Sequence, residues 1–161
     1  MAPSQAHIHA EIGRLVARLG RVWRRESDQA LCDHGLSYAT AIPLLVLSRH
    51  GENVRQGVLA DELGIEGPSL VRLIDLLQAE GLVERREDPT DRRAKTLHLT
   101  KAGEAKVEET NRVLRRVRAS LLKDIGAEEL AITFETLQRI ELRASRLHEA
   151  KTFLRTVPEA K

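Results

Sequence analysis

Apolar positions recur along this chain in three long stripes that bracket a middle section of different rhythm. Over residues 8–31, Ile8, Ile12, Leu15, Leu19 and Val22 follow one another at steps of four and three. That spacing puts them on one face of a helix. It recurs in Val107, Thr110, Leu114, Val117, Leu121 and Ile125, and again in Leu130, Phe134, Leu137, Ile140, Ala144 and Leu147, so two more long amphipathic helices are predicted. In the middle, Ser37 suits an N-cap, with Pro43 tightening or bending the first turns of the helix it opens. HGEN at 50–53 signals a loop, and VLADELGI at 58–65 reads as a short helix closed by Gly64. Pro68 sits where a first helical turn accepts it, so another helix runs from there to about Glu80 and stops at Gly81. LVERR at 82–86 and KTLHLT at 95–100 are strand-like, with Leu97 and Leu99 alternating, and the EDPTDRR between them is rich in turn residues.

Two helices joined by the short GIEG turn and followed by a strand pair predict a winged helix-turn-helix, whose second helix enters the major groove. The fold class expected is mainly α with a small β wing, flanked by N- and C-terminal dimerisation helices. The terminal stripes follow no partner within the wing's lobe, so a helical interface with a second subunit is the economical reading. The chain then divides into an N-terminal dimerisation helix (1–36), the DNA-binding lobe (37–100) and the C-terminal helices of the dimerisation region (101–161).

Composition narrows the function. With 161 residues, 42% apolar and 31% charged, the chain has the make-up of a folded domain, and 2% aromatic content points to aliphatic packing between helices. The one cysteine, Cys32, excludes an intramolecular disulfide framework and fits a reducing compartment, so a cytoplasmic location is expected. The polar start MAPSQAHIHA lacks an export signal, and AIPLLVL at 41–47 is far shorter than the ~20 residues a membrane span needs. A net charge of +2 is too small to name a nucleic-acid partner, so the placement of charge matters more. None of the six histidines pairs at the i, i+4 spacing of a helical metal site, and no cofactor is expected. A glycine-rich phosphate loop, a nucleophile elbow and clustered catalytic carboxylates are all lacking, which argues against an enzyme. Cys32, near a helix end, reads as a small buried hydrophobe ahead of a peroxide sensor.

The basic residues gather around the strand pair. Pro68, Ser69 and Arg72 start the groove-entering helix; Ser69 and Arg72 share a face, while Leu70, Leu73 and Leu77 turn inward. Arg72 can fork onto guanine and Ser69 can reach a base or phosphate. Arg92 and Arg93 at the wing tip suit a narrowed minor groove, with Asp91 beside them as a salt-bridge partner that aims an arginine. Arg85, Arg86 and Lys95 are expected to contact backbone phosphate. A second cluster, Arg14, Arg18, Arg21 and Arg25 with Trp23 and Arg24, lies along the first helix.

The order of elements, with DPTDRRAKTLHLT followed by KAG, resembles the MarR family of bacterial transcription regulators over about residues 8–150. GIEGPSLVRLIDLL, GLVERR, TDRRAK and RVWRR are similar to the SlyA branch. The resemblance implies a homodimeric repressor that binds pseudo-palindromic operator DNA and releases it when a small aromatic anion binds. It further implies an aromatic-acid pocket bordered by Arg21, Trp23 and Arg24, with Arg72 across it and Tyr38 offering a phenol nearby. A guanidinium suits such a carboxylate because it binds in a fork. Ala39, Ala41 and Leu45 depart from the branch's polar or aromatic wall, which leaves the inducer open among salicylate, hydroxybenzoate, cinnamate and pyridine-carboxylate types. The competing readings are a helical dimeric interaction or anti-repressor module without operator binding, and a redox-sensing regulator using Cys32.

Overall fold

Side-chain caps fix where the first helices begin. A computed structural model of the chain describes residues 4–88, 90–91 and 94–156, the last nine of them as backbone. Ser4 accepts the His7 N–H at 3.3 Å ahead of α1 (Gln5–Cys32), and Ser37 accepts the Thr40 N–H at 3.1 Å ahead of α2 (Tyr38–His50). Each bond satisfies one of the free N–H groups of a first turn. The Asp28 carboxylate of α1 adds a second acceptor for α2, taking the Tyr38 N–H at 3.0 Å. Pro43 is accommodated inside α2 and is buried. After a two-residue strand β1 (Val54–Arg55) come α3 (Gln56–Leu63) and α4 (Gly67–Ala79). Gly64 ends α3 at φ 63°, a left-handed conformation that glycine adopts without a Cβ penalty. Strands β2 (Val83–Glu87) and β3 (Lys95–Leu99) form the wing, followed by α5 (Lys101–Leu121) and α6 (Ala127–Thr156).

The protein is thus mainly helical with a small antiparallel sheet, the winged helix-turn-helix that the sequence predicts. The sheet has one strand more than expected. Its order is β1-β3-β2, with Val54 opposite Leu97 on one side of β3 and Arg85 opposite Leu97 on the other. As the central strand, β3 is flanked on both edges, and Thr96, Leu97 and His98 along it are buried. The two polar side chains satisfy each other, Thr96 Oγ1 lying 3.0 Å from His98 Nε2.

The chain divides into two compact units, Met1–Leu121 and Leu122–Lys161. The core of the first is aliphatic. Leu44, Leu47, Leu59, Leu70, Ile74, Leu77 and Leu97 are each at most 2% exposed. Burial of one such side chain contributes about 1.5–3 kcal/mol before entropy is counted. A satellite cluster joins Leu31 and Leu36 to Ala41, Val113 and Leu114. The expectation that both C-terminal helices lie outside the lobe's core is corrected for α5, because Val107 packs into the main cluster. Gly103 makes that approach possible, since a Cβ there would run into the Leu82 carbonyl oxygen. Thr100 locks the junction by donating to the Gly81 carbonyl at 2.6 Å and accepting the Gly103 N–H at 3.1 Å.

In the second unit, α6 keeps its apolar residues open to solvent, among them Phe134, Leu137, Ile140 and Leu147. Ile8, Ile12, Leu15 and Leu19 on α1 are likewise exposed. Among the described residues no helix is long and apolar enough to cross a membrane.

Candidate functional site

Helix α4 is held by one face and offers the other. Leu70, Ile74 and Leu77 are buried at steps of four and three, which turns Pro68, Ser69 and Arg72 outward. Among the described residues Arg72 has no ion-pair partner, so its five N–H donors face outward uncommitted. Three positions along, Asp75 takes Nη1 of Arg85 at 2.7 Å and ties α4 to β2.

The wing is anchored by one carboxylate. Asp88 is only 6% exposed and bonds Arg55 of β1 twice, Nε at 2.8 Å and Nη2 at 2.7 Å. Its other oxygen accepts the Thr90 N–H at 2.8 Å, the Thr90 hydroxyl at 2.6 Å and the Asp91 N–H at 3.2 Å. The Thr90 bonds, then the Arg55 guanidinium, hold the Asp88 carboxyl well below the usual carboxylate range. Arg86 pairs with Glu84, and Lys95 with Glu87 at 3.2 Å, both at the surface.

On the other side of α2 lies a cleft of about 290 Å³, walled by Trp23 and Ser27 of α1, Tyr38, Ile42, Leu45, Ser48 and Arg49 of α2, and Asn111, Leu114 and Arg118 of α5. Trp23 and Ser27 are four apart and share a face of α1. Arg24 stands over the Tyr38 ring, its guanidinium carbon 5.1 Å from the centroid, a cation–π arrangement. Arg118 Nε donates to the Leu114 carbonyl at 3.1 Å. Arg49 Nη2 lies 3.0 Å from Oε1 of Glu62 on α3, whose second oxygen is bonded by His50. The His50 hydrogen bond, and less so the Arg49 charge, keep the Glu62 carboxyl below its usual range. The cleft therefore joins two aromatic walls to two cations, a lining suited to a flat anion.

A model of the MarR family matches residues 34–94, from just after α1 up to the start of β3. The chain is 37% identical to the transcriptional regulator PA3341, with 84% of this chain and 98% of that one aligned at a TM-score of 0.77. This chain belongs to the MarR family. It is also similar to CouR from Rhodococcus jostii RHA1, solved with p-coumaroyl-CoA, at 30% identity over 85% of this chain and 95% of that one, with a TM-score of 0.71. A mutant MarR from E. coli, solved with operator DNA, is 22% identical over 86% and 99% at a TM-score of 0.73, and shares the fold.

As a MarR-family transcriptional regulator, the protein sorts its sequence-derived site residues into three groups. Pro68, Ser69 and Arg72 stand together on the outer face of α4, and Arg86 and Lys95 on the surface of the wing. Arg85 faces α4, half-buried and paired with Asp75, where a phosphate contact was expected. Arg92 and Arg93 lie outside the described residues. Of the expected ligand residues, Trp23 and Tyr38 meet in the cleft and Arg24 covers Tyr38. Arg21 points elsewhere, into a shallow groove along α1 with His7, Arg14 and Arg18, because residues two positions apart on a helix, as Arg21 and Trp23 are, face opposite ways. Arg72 is not among the cleft's lining residues either. Cys32 is exposed at the end of α1, where Leu31 takes the buried position, so the expectation of a buried hydrophobe is corrected.

Sequence reasoning missed Arg49, Arg118, Asn111, Asp88 and Arg55. Arg49 carried a usable signal, since it is a cation in the last turn of a helix, where it complements the dipole. Arg55 and Asp88 carried none, because their pairing depends on a strand of two residues.

Proposed function

We propose that this MarR-family protein is a ligand-responsive repressor that binds pseudo-palindromic operator DNA as a homodimer and is released by a small aromatic carboxylate. The observation that carries this reading is that one lobe has both an outward face of Ser69 and Arg72 on α4 and, behind α2, a cleft of two aromatics and two arginines. Arg72 reads guanine through a forked contact, Ser69 a base or phosphate, and Arg86 and Lys95 the backbone. Arg92 and Arg93 serve the flanking minor groove. Arg85 supports α4 from behind. A second copy covers the exposed apolar faces of α1 and α6, and the two recognition helices then meet half-sites about one helical turn apart.

The effector's ring lies between Trp23 and Tyr38, and its carboxylate is held by Arg49 and Arg118 with Arg24 near the mouth. At about 290 Å³ the cleft is at the small end of ligand pockets and suits a one-ring acid. The p-coumaroyl-CoA bound by CouR carries a one-ring acyl group, which supports an aromatic ring in the ligand; as a thioester that group has no carboxylate, so the anion rests on Arg49 and Arg118 alone. The SlyA-like motifs fit the same behaviour.

Binding to a duplex from the region upstream of the protein's own coding sequence tests the reading. Affinity falls steeply with added salt as phosphate contacts are lost, and benzoate, but not neutral benzamide, releases the DNA. Equal responses to acid and amide would refute the anion site, and salt-insensitive or undetectable binding would favour the interaction module.

A further inference from the structure

Arg49 belongs to two structures at once. It lines the cleft from the last turn of α2, and its Nη2 is 3.0 Å from Glu62, in the last turn of α3. Helix α3 is the first helix of the helix-turn-helix and leads into α4 through the Gly64 turn. Glu62 has two partners, Arg49 and His50, both from the end of α2. The ion pair therefore ties the cleft wall to the first helix of the helix-turn-helix.

We propose that Arg49 is the switch residue of this cleft: an effector carboxylate seated between Arg49 and Arg118 draws the Arg49 guanidinium off Glu62 and loosens α3 from α2. The inference rests on the reading of the cleft as an effector site. A guanidinium forks onto one carboxylate at a time in its best geometry, so the effector and Glu62 compete for it. The contest is open because the Arg49 side chain is 68% exposed, and such a pair is weak enough to exchange. In the cleft the same cation meets a carboxylate shielded by Trp23 and Tyr38, where charge pairing is screened less. Glu62 then keeps only His50, a cation only when protonated, and α3 with α4 is freer to leave the geometry that fits two half-sites. Linkage makes the effect reciprocal: whatever factor the acid costs in DNA affinity, DNA costs in acid affinity.

Two readouts on the full-length dimer separate the parts of the claim. Trp23 is the protein's only tryptophan and lines the cleft, so its fluorescence reports benzoate binding without DNA. Affinity for the upstream duplex, with and without benzoate, gives the release factor. In Glu62→Gln, benzoate binds the DNA-free protein about two- to fivefold more tightly, and the release factor shrinks by about the same ratio. His50→Gln leaves Glu62 more dependent on Arg49, so its release factor equals or exceeds the wild-type value. Arg49→Gln weakens benzoate binding and release together. A Trp23 response in the wild type with an unchanged release factor in Glu62→Gln overturns the switch and leaves the effector site standing. A wild-type Trp23 signal indifferent to benzoate overturns the effector site, and the switch with it.

Discussion

Ile74 on α4 and Ile140 on α6 are the same residue on amphipathic helices, yet the first is 0% exposed and the second 46%. The lobe built from α2 to α5 finishes its core within one chain. Along α6, Phe134, Leu137, Ile140 and Leu147 share one face and form no such core, and α1 leaves Ile8, Ile12, Leu15 and Leu19 uncovered over its first half. Stripes of this kind, continuous along a helix and apolar, mark surfaces that find a partner. The contrast teaches that periodicity alone says a face is apolar and not what covers it. Val107 and Leu114 on α5 obey the same spacing and are covered by their own chain.

The strongest way to break the comparison is to charge the open face. Leu137→Glu with Ile140→Glu is expected to give monomers in sedimentation velocity, with the lobe still folded by circular dichroism. Losing the second half-site then weakens operator binding by about a hundredfold or more. A dimer of unchanged affinity would mean that α6 is covered in some other way.

The matching change in the closed region is Ile74→Ala. It opens a cavity among Leu70, Leu77 and Leu97 and is expected to cost about 2–5 kcal/mol in urea unfolding. Measurements at one protomer concentration keep association out of the comparison. Dimerisation of the folded fraction should be unaltered. If Ile74→Ala dissociated the dimer as readily as the α6 pair, the two regions would be one cooperative unit.

The same division explains what could be read in the sequence. The long stripes and the punctuation by Ser37, Gly64, Pro68 and Gly81 are local signals, and they placed α1 to α4, β2 and β3 within a few residues, whereas α5 begins ahead of Val107 and stops before Ile125, and α6 runs on past Leu147 to Thr156. Strand β1 is two residues long and has no periodicity, so Val54–Arg55 was passed over. With it went the central place of β3 in the sheet. The KAG run entered only as part of a resemblance, whereas Gly103 has a steric task against Leu82. Outward residues on α4 were legible because burial of Leu70 and Leu77 dictates them. The cleft was legible only in its aromatic half, because the arginines facing it come from α2 and α5, far apart in sequence.

A smaller effect sharpens the picture within the lobe. Arg72→Ala is expected to cost about 1–3 kcal/mol on the cognate operator and to relax base preference, whereas Arg86→Ala weakens cognate and random duplexes alike. Both variants should dimerise as the wild type does. Competition titrations with cognate and random DNA check this, and parallel losses for the two variants would remove the distinction between reading and positioning.

The smallest expected effect concerns Asp88, the carboxylate that fastens the wing to β1. Its folded-state pKa is depressed, so in acid the unfolded chain binds the proton that the native state refuses. Stability from this group is therefore complete above the ordinary aspartate value of about 4 and is lost progressively as pH falls below it. Asp88→Asn removes the charge and keeps the shape, leaving Arg55 and Thr90 with a neutral partner. Thermal unfolding of wild type and variant from neutral pH down to about pH 3 should give two curves separated at neutral pH and converging in acid. Other carboxylates destabilise both proteins in acid, so the difference between the curves isolates this one. Curves that stay parallel would mean that Asp88 is not held by its charge. Because the anchor lies inside the lobe, sedimentation of the folded variant should match that of the wild type, and a shift toward monomer would couple the wing to the terminal helices and dissolve the division drawn between them.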